Sequence, residues 1–253
     1  MARIFITGSA DGLGRLTAHT LLDGGHDVTV HARSDARLAA AQDLLDGGAT
    51  GVAGDLSDPE QTRDVAAQVN RHGSVDAVIH NAGVYTGPHI FDVNVAAPYL
   101  LTALIKRPRR LIYLSSGMHR GGHPALPGTG LPGTGQGGSG QGGKPQRITY
   151  SDSKLYVTAM SAAVARLWPG VLGNAVDPGW VPTKMGGAGA PDDLRLGHLT
   201  QEWLATSDDP EALTSGGYWY HQDRRKAHPA VYDREFQNAL LNHLATVTGE
   251  RLT

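Results

Sequence analysis

The sequence predicts an α/β protein in which a doubly wound parallel sheet carries helices on both faces. Short apolar runs that suit buried strands alternate along the chain with segments whose apolar residues recur at helical spacing. A glycine-rich turn joins the first apolar run to the first helical segment. At 253 residues the chain can bury a full core, so we expect a single domain over residues 1–253.

A strand, a glycine turn and a helix are predicted within the first 21 residues. Residues 4–6 form an apolar run, and glycines at positions 8, 12 and 14 lead into residues 13–21, which have helical apolar spacing. Such a unit directs backbone N–H groups and the positive end of the helix dipole at one point, where a pyrophosphate can approach the glycines closely. An ordinary glycine turn between a strand and a helix is the alternative interpretation.

The second predicted strand ends where the ribose of a dinucleotide would be recognised. It covers residues 27–30, and Arg33 follows it closely. An acidic residue at this place would bind the ribose 2′-hydroxyl of NAD, whereas an arginine accommodates the 2′-phosphate of NADP. Arg33 therefore favours NADP, although a solvated arginine is the alternative and Asp35 lies nearby in sequence.

Further strands and helices continue the alternation along the chain. Strands are expected at 51–56, 75–79, 110–116 and from 174, and helices at 37–45, 62–69, 150–164, 200–205 and 233–244. The helix at 62–69 follows Asp58-Pro59, with Ser57 or Asp58 as its cap. Because ligands of open α/β sheets bind outside the carboxyl ends of the strands, the polar residues at those ends are the candidates for function.

Three such candidates follow the fourth strand, the fifth strand and the insertion after the fifth strand. Asn-Ala-Gly at 81–83 and Ser116 stand at strand ends, where turn chemistry alone is the alternative. Tyr150 and Lys154 are four residues apart on a helix, so the phenol and the ammonium share one face, and a surface pair is the alternative. A neighbouring cation would lower the pKa of Tyr150 toward the range useful for acid and base catalysis.

Residues 121–145 interrupt the pattern, because 11 of these 25 residues are glycine and 4 are proline. They contain Leu-Pro-Gly-Thr-Gly twice in tandem, at 126–130 and 131–135. A segment of this composition buries too little apolar area to offset its ordering entropy, so the sequence predicts a flexible insertion on the surface.

These motifs, in this order, resemble the short-chain dehydrogenase/reductase family. The resemblance extends from residue 7 to residue 183 and rests on Thr7-Gly-x-x-x-Gly-x-Gly, Asn81-Ala-Gly, Ser116, Tyr150-x-x-x-Lys and Pro178-Gly-x-Val-x-Thr. It implies a Rossmann-type sheet of about seven strands. Three aromatic residues at 218–220 are similar to the tail of retinol-dehydrogenase-type members.

The resemblance also implies a set of site residues. Tyr150 would donate a proton, Lys154 would lower its pKa and hold the nicotinamide ribose, Ser116 would hydrogen-bond the carbonyl oxygen, and Asn94 would hold a relay water. Ten residues separate Gly83 from Asn94, fewer than the family leads one to expect, which predicts a trimmed helix start. The implied cofactor-binding residues are Thr7, Gly8, Ser9, Gly12, Leu13, Gly14, Arg33, Asp55, Leu56, Asn81, Ala82, Gly83, Tyr150, Lys154, Pro178, Gly179, Val181 and Thr183.

The function expected from these residues is NADP(H)-dependent interconversion of a ketone or aldehyde and an alcohol, with NAD as the less favoured cofactor. An NADP-binding sensor without catalysis is the alternative, and an isomerase or dehydratase of the extended family branch is a third. Residues 184–253 are expected to form a substrate lid, with a flexible part at 186–191, and the C-terminal region.

The composition of the chain limits the classes of binding partner that we expect. Lys plus Arg (22) nearly balance Asp plus Glu (24), so neither nucleic acid nor an anionic membrane is expected to bind. Without cysteine there is no disulfide framework, and without a leader or an apolar span a cytoplasmic protein is expected. A small-molecule substrate is expected, a homodimer or homotetramer is left open, and no metal site is expected because the histidines at 119, 123, 198, 221 and 228 are interpreted as solvated.

Overall fold

Eight strands form one sheet at the centre of the computed structural model, which describes residues 1–126 and 148–253. They lie in the order β3-β2-β1-β4-β5-β6-β7-β8, and every neighbouring pair is parallel except β7 and β8. The strands are β1 (Arg3–Ile6), β2 (Asp27–Ala32), β3 (Thr50–Ala53), β4 (Ala77–His80), β5 (Arg110–Leu114), β6 (Leu172–Asp177), β7 (Tyr218–Tyr220) and β8 (Asp223–Arg225).

Helices cover both faces of the sheet. They are α1 (Gly12–Asp23), α2 (Asp35–Ala39), α3 (Gln42–Asp46), α4 (Pro59–Arg71), α5 (Ala97–Leu104), α6 (Tyr150–Leu167), α7 (Leu194–Thr206) and α8 (Arg234–Thr248). A π-helical turn (Asp92–Ala96) precedes α5, and 3₁₀ turns lie at Gly117–Gly121 and Pro229–Tyr232. Because the strand order reverses direction between β1 and β4, the carboxyl ends of these two strands frame a crevice.

Side-chain caps fix where the helices begin. Asp58 accepts hydrogen bonds from the backbone N–H groups of Glu60 and Gln61, and Pro59 occupies the first position of α4, where its missing N–H is not needed. At α6, Thr149 and Asp152 form a reciprocal capping box. The chain therefore enters α6 in a defined direction immediately before Tyr150.

Two hydrophobic layers hold the helices on the sheet. One layer packs α4, α5, α6 and α8 against the sheet and includes Phe5, Tyr113 and Leu155. The other packs α1 and α7 against the opposite face and includes Ile79 and Trp219. Buried on both faces, the strands are nearly continuous apolar runs, which is the pattern that predicted a parallel sheet.

The predicted fold class is confirmed, and three details differ. The sheet has an eighth strand, Asp223–Arg225, whose three charged residues are exposed at the edge and carry no apolar pattern. The helix predicted at 37–45 is two short helices, and the break brings Ala41 as well as Leu44 into the core. Strand β3 ends three residues and strand β5 two residues earlier than predicted, at Ala53 and Leu114, because the chain then turns toward the crevice.

The glycine- and proline-rich insertion predicted at 121–145 falls mostly on residues outside the described ranges. Its first residues are described, and they pack more closely than predicted. Gly122 is buried, and a methyl group there would lie 2.6 Å from the Ser151 carbonyl oxygen of α6. Leu126 is also buried, and the Tyr156 hydroxyl donates a hydrogen bond to the Ala125 carbonyl. Across the described ranges, none of the helices combines the length and the apolar character needed to cross a membrane.

Candidate functional site

A cleft of about 710 Å³ runs along the carboxyl ends of the central strands. Thirteen of the residues predicted to bind cofactor line it: Gly8, Gly12, Leu13, Arg33, Asp55, Leu56, Asn81, Ala82, Gly83, Tyr150, Lys154, Pro178 and Thr183. The cleft thus joins the glycine turn at one end to the first turn of α6 at the other. Residues more than a hundred positions apart in the chain meet there because all of them follow strand ends or helix starts on one edge of the sheet.

The glycine turn has a backbone conformation and close contacts that residues with a side chain would not allow. Gly8 (φ +63°) and Gly12 (φ +55°) adopt the left-handed region that favours glycine. At Gly14, a methyl group would lie 2.3 Å from Asn81 Nδ2 and 2.6 Å from the Gly8 carbonyl oxygen. The Asn81 amide uses this space to donate to the carbonyls of Thr7 and Gly8, at 2.9 and 3.0 Å. The turn therefore stays close to β4, with the N-terminus of α1 facing the cleft.

Three predicted cofactor residues support the cleft from behind its surface. The Thr7 hydroxyl accepts a hydrogen bond from the Ala82 backbone N–H at 2.9 Å, and the Ser9 hydroxyl accepts one from the His31 N–H at 2.8 Å. Both side chains are buried. Val181 is also buried, and a methyl group at Gly197 of α7 would lie 2.7 Å from it. A direct contact of these side chains with a cofactor remains a prediction.

His31 is a cleft residue whose role the sequence did not reveal. Its Nδ1 accepts the Gly8 backbone N–H at 3.0 Å, and its Nε2–H donates to the Gly54 carbonyl at 2.9 Å. Burial lowers the pKa of His31, which keeps the ring neutral and able to do both. The imidazole thereby ties the glycine turn to the end of β3. Its place at the end of β2, one turn from the glycines, was the signal available in the sequence.

The end of the cleft beside β2 and β3 carries Arg33, the residue predicted to recognise the cofactor's ribose. Arg33 is exposed and lines the cleft, and among the described residues it takes part in no hydrogen bond or ion pair. Asp55 accepts hydrogen bonds from the backbone N–H and the hydroxyl of Ser57, at 2.9 and 2.8 Å. These bonds, with the charge of Arg33 as a smaller cause, keep the pKa of Asp55 below its usual range.

Asp11 is a second residue that the sequence did not single out. It caps α1 by accepting the Gly12 N–H at 2.8 Å, and its carboxylate also contacts the side chains of Arg37 and Lys184. Lys184 belongs to the loop after β6, so this ion pair spans the mouth of the cleft. The hydrogen bond from Lys184 is the largest cause of the lowered pKa of Asp11.

The catalytic candidates meet at the other end of the cleft. Lys154 Nζ is buried, donates to the Leu114 carbonyl at 2.7 Å, and lies 5.4 Å from the centre of the Tyr150 ring. The Ser116 hydroxyl accepts the Met118 N–H at 3.2 Å and lies close enough to the Tyr150 phenol to lower its pKa. The structure therefore brings together three side chains: Ser116 from the turn after β5, and Tyr150 and Lys154 from α6.

The protonation of this group differs from the prediction. The pKa of Tyr150 is raised to about 12, mainly by burial, rather than lowered by Lys154. The physical reason is that Lys154 is itself buried, which lowers its pKa to about 8, and that its amine faces the Leu114 carbonyl. The nearby Ser116 hydroxyl is the influence that lowers the pKa of Tyr150.

Asn94 lies in the π-helical turn before α5, a feature often found at functional sites. Its amide accepts the Val84 N–H at 2.8 Å and donates to the Val84 carbonyl at 2.9 Å and to the Ser153 hydroxyl at 3.0 Å. The side chain therefore fixes the loop after β4 beside α6. Its role in a proton relay remains a prediction.

Two histidines interpreted as solvated are buried. His119 donates from Nδ1 to the Ser116 carbonyl at 2.7 Å and accepts the His228 N–H at its Nε2 at 3.0 Å. His198 pairs with Glu202 on α7. Single polar residues in loops and helices gave no periodic signal of burial, so the sequence reading missed both. His119 matters for the site, because it holds the turn that carries Ser116.

Comparisons with known proteins identify the family. The sequence profile described as short chain dehydrogenase matches residues 2–105. The uncharacterized oxidoreductase AN7799 of Emericella nidulans is 35% identical over 268 residues, covering 98% of each chain. The short-chain dehydrogenase chyC of Penicillium rubens is 33% identical over 261 residues, covering 100% of this chain and 99% of that protein. Retinol dehydrogenase 13 of Homo sapiens is 28% identical over 72% of this chain and 60% of its own.

Solved structures share the fold at lower identity. A crystal structure of a protein from Mycobacterium paratuberculosis has a TM-score of 0.80 at 21% identity, covering 100% of this chain and 95% of that one. A short chain dehydrogenase from Burkholderia cenocepacia, solved in complex with NADP, has a TM-score of 0.67 at 19% identity, covering 86% and 94%. Given full-length relatives above 30% identity, this chain belongs to the short-chain dehydrogenase family and is an oxidoreductase.

Proposed function

We propose that this protein reduces a ketone or aldehyde to an alcohol with NADPH, using Ser116, Tyr150 and Lys154. The observation that carries the proposal is the convergence of these three side chains at the end of a cleft that begins at a glycine turn. A proton donor, a hydroxyl able to bind a carbonyl oxygen and a cation are the groups that such a reaction requires.

The residues of the cleft fit a dinucleotide with a 2′-phosphate. Gly8 and Gly12 adopt left-handed backbone before the N-terminus of α1, and the space around Gly12 is open, which suits a pyrophosphate. Arg33 would hold the 2′-phosphate, and Asp55 with Leu56 would lie beside the adenine. The Burkholderia cenocepacia relative was solved with NADP, which supports the same choice of cofactor.

In the proposed mechanism the chain's own residues bind the carbonyl and move the proton. Ser116 would hydrogen-bond the carbonyl oxygen, and Tyr150 would give its phenolic proton to that oxygen. The bound nicotinamide supplies the hydride. With a pKa raised to about 12, Tyr150 is protonated at neutral pH and ready to act as the acid. Burial lowers the pKa of Lys154 to about 8, so the amine is protonated below pH 8. Its positive charge would stabilise the phenolate as it forms.

An exposed aromatic ring beside Tyr150 favours apolar substrates. Tyr85 is 47% exposed, and its ring lies 4.8 Å from the Tyr150 ring, centre to centre. Met118 and Trp180, on the segments that follow β5 and β6, are 44% and 60% exposed, and Met185 lines the cleft itself. An exposed aromatic side chain beside polar catalytic residues is typical of a binding surface for an apolar or aromatic group.

A sensor that binds NADP without chemistry is the competing function. It has no need for a buried lysine beside a tyrosine and a serine, and burying an amine costs free energy that a sensor gains nothing from. The two functions are separated by measuring NADPH consumption with a panel of aliphatic and aromatic ketones, aldehydes and quinones. Turnover with one class, fastest for apolar members, is expected, whereas NADPH binding without turnover of any of them would favour the sensor.

A further inference from the structure

The Asp177 carboxylate, at the end of β6, is buried beside the turn that carries Ser116 and has no part in the mechanism above. Its Oδ2 accepts a hydrogen bond from the Tyr218 hydroxyl at 2.7 Å, and its Oδ1 accepts the Gly179 N–H at 3.0 Å. A methyl group at Gly117 would lie 3.1 Å from Oδ2, so the carboxylate faces the turn that carries Ser116. Strand pairing of β5 with β6 fixes this position, because the Ser115 N–H donates to the Val176 carbonyl at 2.7 Å.

The charge of Asp177 reaches both ionisable members of the catalytic group. It adds to burial in raising the pKa of Tyr150, and it opposes burial at Lys154, where it raises the pKa. Both effects favour the protonated form. The other titratable or charged groups around this cluster are Tyr85, His119, Arg120, Tyr218, Tyr220 and, beyond Gly179, Asp192 and His221.

These neighbours do not replace the role of Asp177. Burial lowers the pKa of His119, so the ring is neutral. Burial and the adjacent Asp177 raise the pKa of Tyr218 well above its usual value, so the phenol keeps its proton. Arg120 lies over the Tyr218 ring at 5.2 Å and acts on the pKa of the Tyr218 phenol in the direction opposite to Asp177. Across residues 1–126 and 148–253, no Lys or Arg forms a direct ion pair with Asp177.

We propose that Asp177 is a positioning residue that keeps the proton on Tyr150 and on Lys154, and thereby sets this site for reduction. This inference rests on the proposed function. Asparagine would satisfy the same two hydrogen bonds, since an amide oxygen accepts from Gly179 and a hydroxyl can pair with either amide atom. Only the carboxylate provides a buried negative charge. Burying that charge costs folding free energy, which is explained if the charge has a role in the site.

The test is Asp177→Asn, which keeps shape and hydrogen bonds and removes the charge. Reduction requires protonated Tyr150 and Lys154, and the variant favours loss of both protons. The alkaline limb of the rate of carbonyl reduction should therefore move to lower pH by roughly one pH unit, the scale of a nearby charge. In the oxidising direction, where Tyr150 must first lose its proton, the acid limb should move to lower pH as well.

A second readout does not require activity. In the cofactor-free protein, lysine side chains labelled with ¹³C can be titrated by NMR, and the Lys154 signal is assigned by its absence in Lys154→Arg. Its titration midpoint is expected near 8 in the wild type and lower in Asp177→Asn. This measurement tests the role of Asp177 even if no carbonyl substrate is found. A failure of this inference can therefore be distinguished from a failure of the proposed function.

Two control variants separate charge from packing. Tyr218→Phe removes the hydroxyl that binds Asp177 but leaves the negative charge, so the pH limbs should stay near those of the wild type. Asp177→Glu retains a carboxylate and should restore them relative to Asp177→Asn. The inference is overturned if the Lys154 midpoint in Asp177→Asn stays or rises, or if Tyr218→Phe moves the limbs as far as Asp177→Asn does.

Discussion

The two ends of the cleft are built differently. The phosphate end consists of backbone and glycine, with exposed charges such as Arg33 and Lys184 around it. The catalytic end consists of buried side chains, in which Lys154, Asp177 and Tyr218 come from α6, β6 and β7. Sequence motifs predict the phosphate end well, because the residues of a glycine turn are close together in the sequence. The second end depends on contacts between distant segments, which motifs show only in part.

The difference matters for how each end responds to change. At an exposed end, water screens charges, and substitutions alter binding more than folding. At a buried end, each polar group is bound to a partner, so a substitution acts on protonation and chemistry. Four substitutions test this contrast, and the largest effect is expected at the buried end.

Replacing Tyr150 with Phe removes the proposed proton donor and little else. Turnover should fall by about 10²- to 10⁴-fold, the range for loss of a general acid, while the dissociation constant for NADPH changes little. Steady-state rates and fluorescence titration of NADPH measure the two quantities. Tyr232→Phe, at a half-exposed tyrosine outside the cleft, is the control and should keep its rate. A Tyr150→Phe enzyme with most of its rate would contradict the proposed mechanism.

At the exposed end, Arg33→Ala should act on one cofactor only. The guanidinium can hold a 2′-phosphate through charge-assisted hydrogen bonds, and their loss costs on the order of 1.5 to 3 kcal/mol, or roughly ten- to a hundredfold in affinity. NADPH binding should weaken by that factor and NADH binding hardly at all. Arg71→Ala, at an exposed arginine ending α4, should change neither. Equal weakening of both cofactors would move attention to Arg37.

Gly14→Ala tests whether the phosphate end is limited by space. The added methyl would lie 2.3 Å from Asn81 Nδ2, whose amide is held by two hydrogen bonds, so the free energy of unfolding should fall by about 1 to 3 kcal/mol. Urea denaturation measures the change. Gly170→Ala is the matched control, because nothing lies within 4 Å of a methyl group there. Equal stability of the two variants would show that the turn yields to the methyl group.

The smallest effect is expected from Lys184→Ala, which removes the ion pair with Asp11 across the mouth of the cleft. Both side chains are substantially exposed, at 79% and 42%, so the contribution to stability should be below about 1 kcal/mol and should fall with added salt. Thermal unfolding at low and high salt tests this. A large, salt-independent loss of stability would mean that the pair is a structural element rather than a screened surface contact.

Much of the fold could be predicted from the sequence, because strands buried on both faces show as apolar runs and helices as periodic ones. The edge strand at 223–225 could not, since it is held by pairing with β7 and carries only charged residues. The motif residues of the cleft were predictable from their order. Asp177, Tyr218 and His31 were not, because nothing in a local pattern distinguishes a buried polar side chain with a partner from a solvated one.

The contact between Lys154 and the Leu114 carbonyl has a consequence for motion. It bonds the first turns of α6 to β5, whose own backbone pairs with β4 and β6. Opening this helix start would expose a buried amine and a strand carbonyl together, so we expect the hydrogen-bonded amides of α6 from Ser153 onward to exchange with deuterium only when the whole domain unfolds. The loop at 184–191 is held by a few exposed hydrogen bonds and should exchange through local opening. Local opening of the loop at 184–191 would then allow the dinucleotide to bind and dissociate while Tyr150 stays in place.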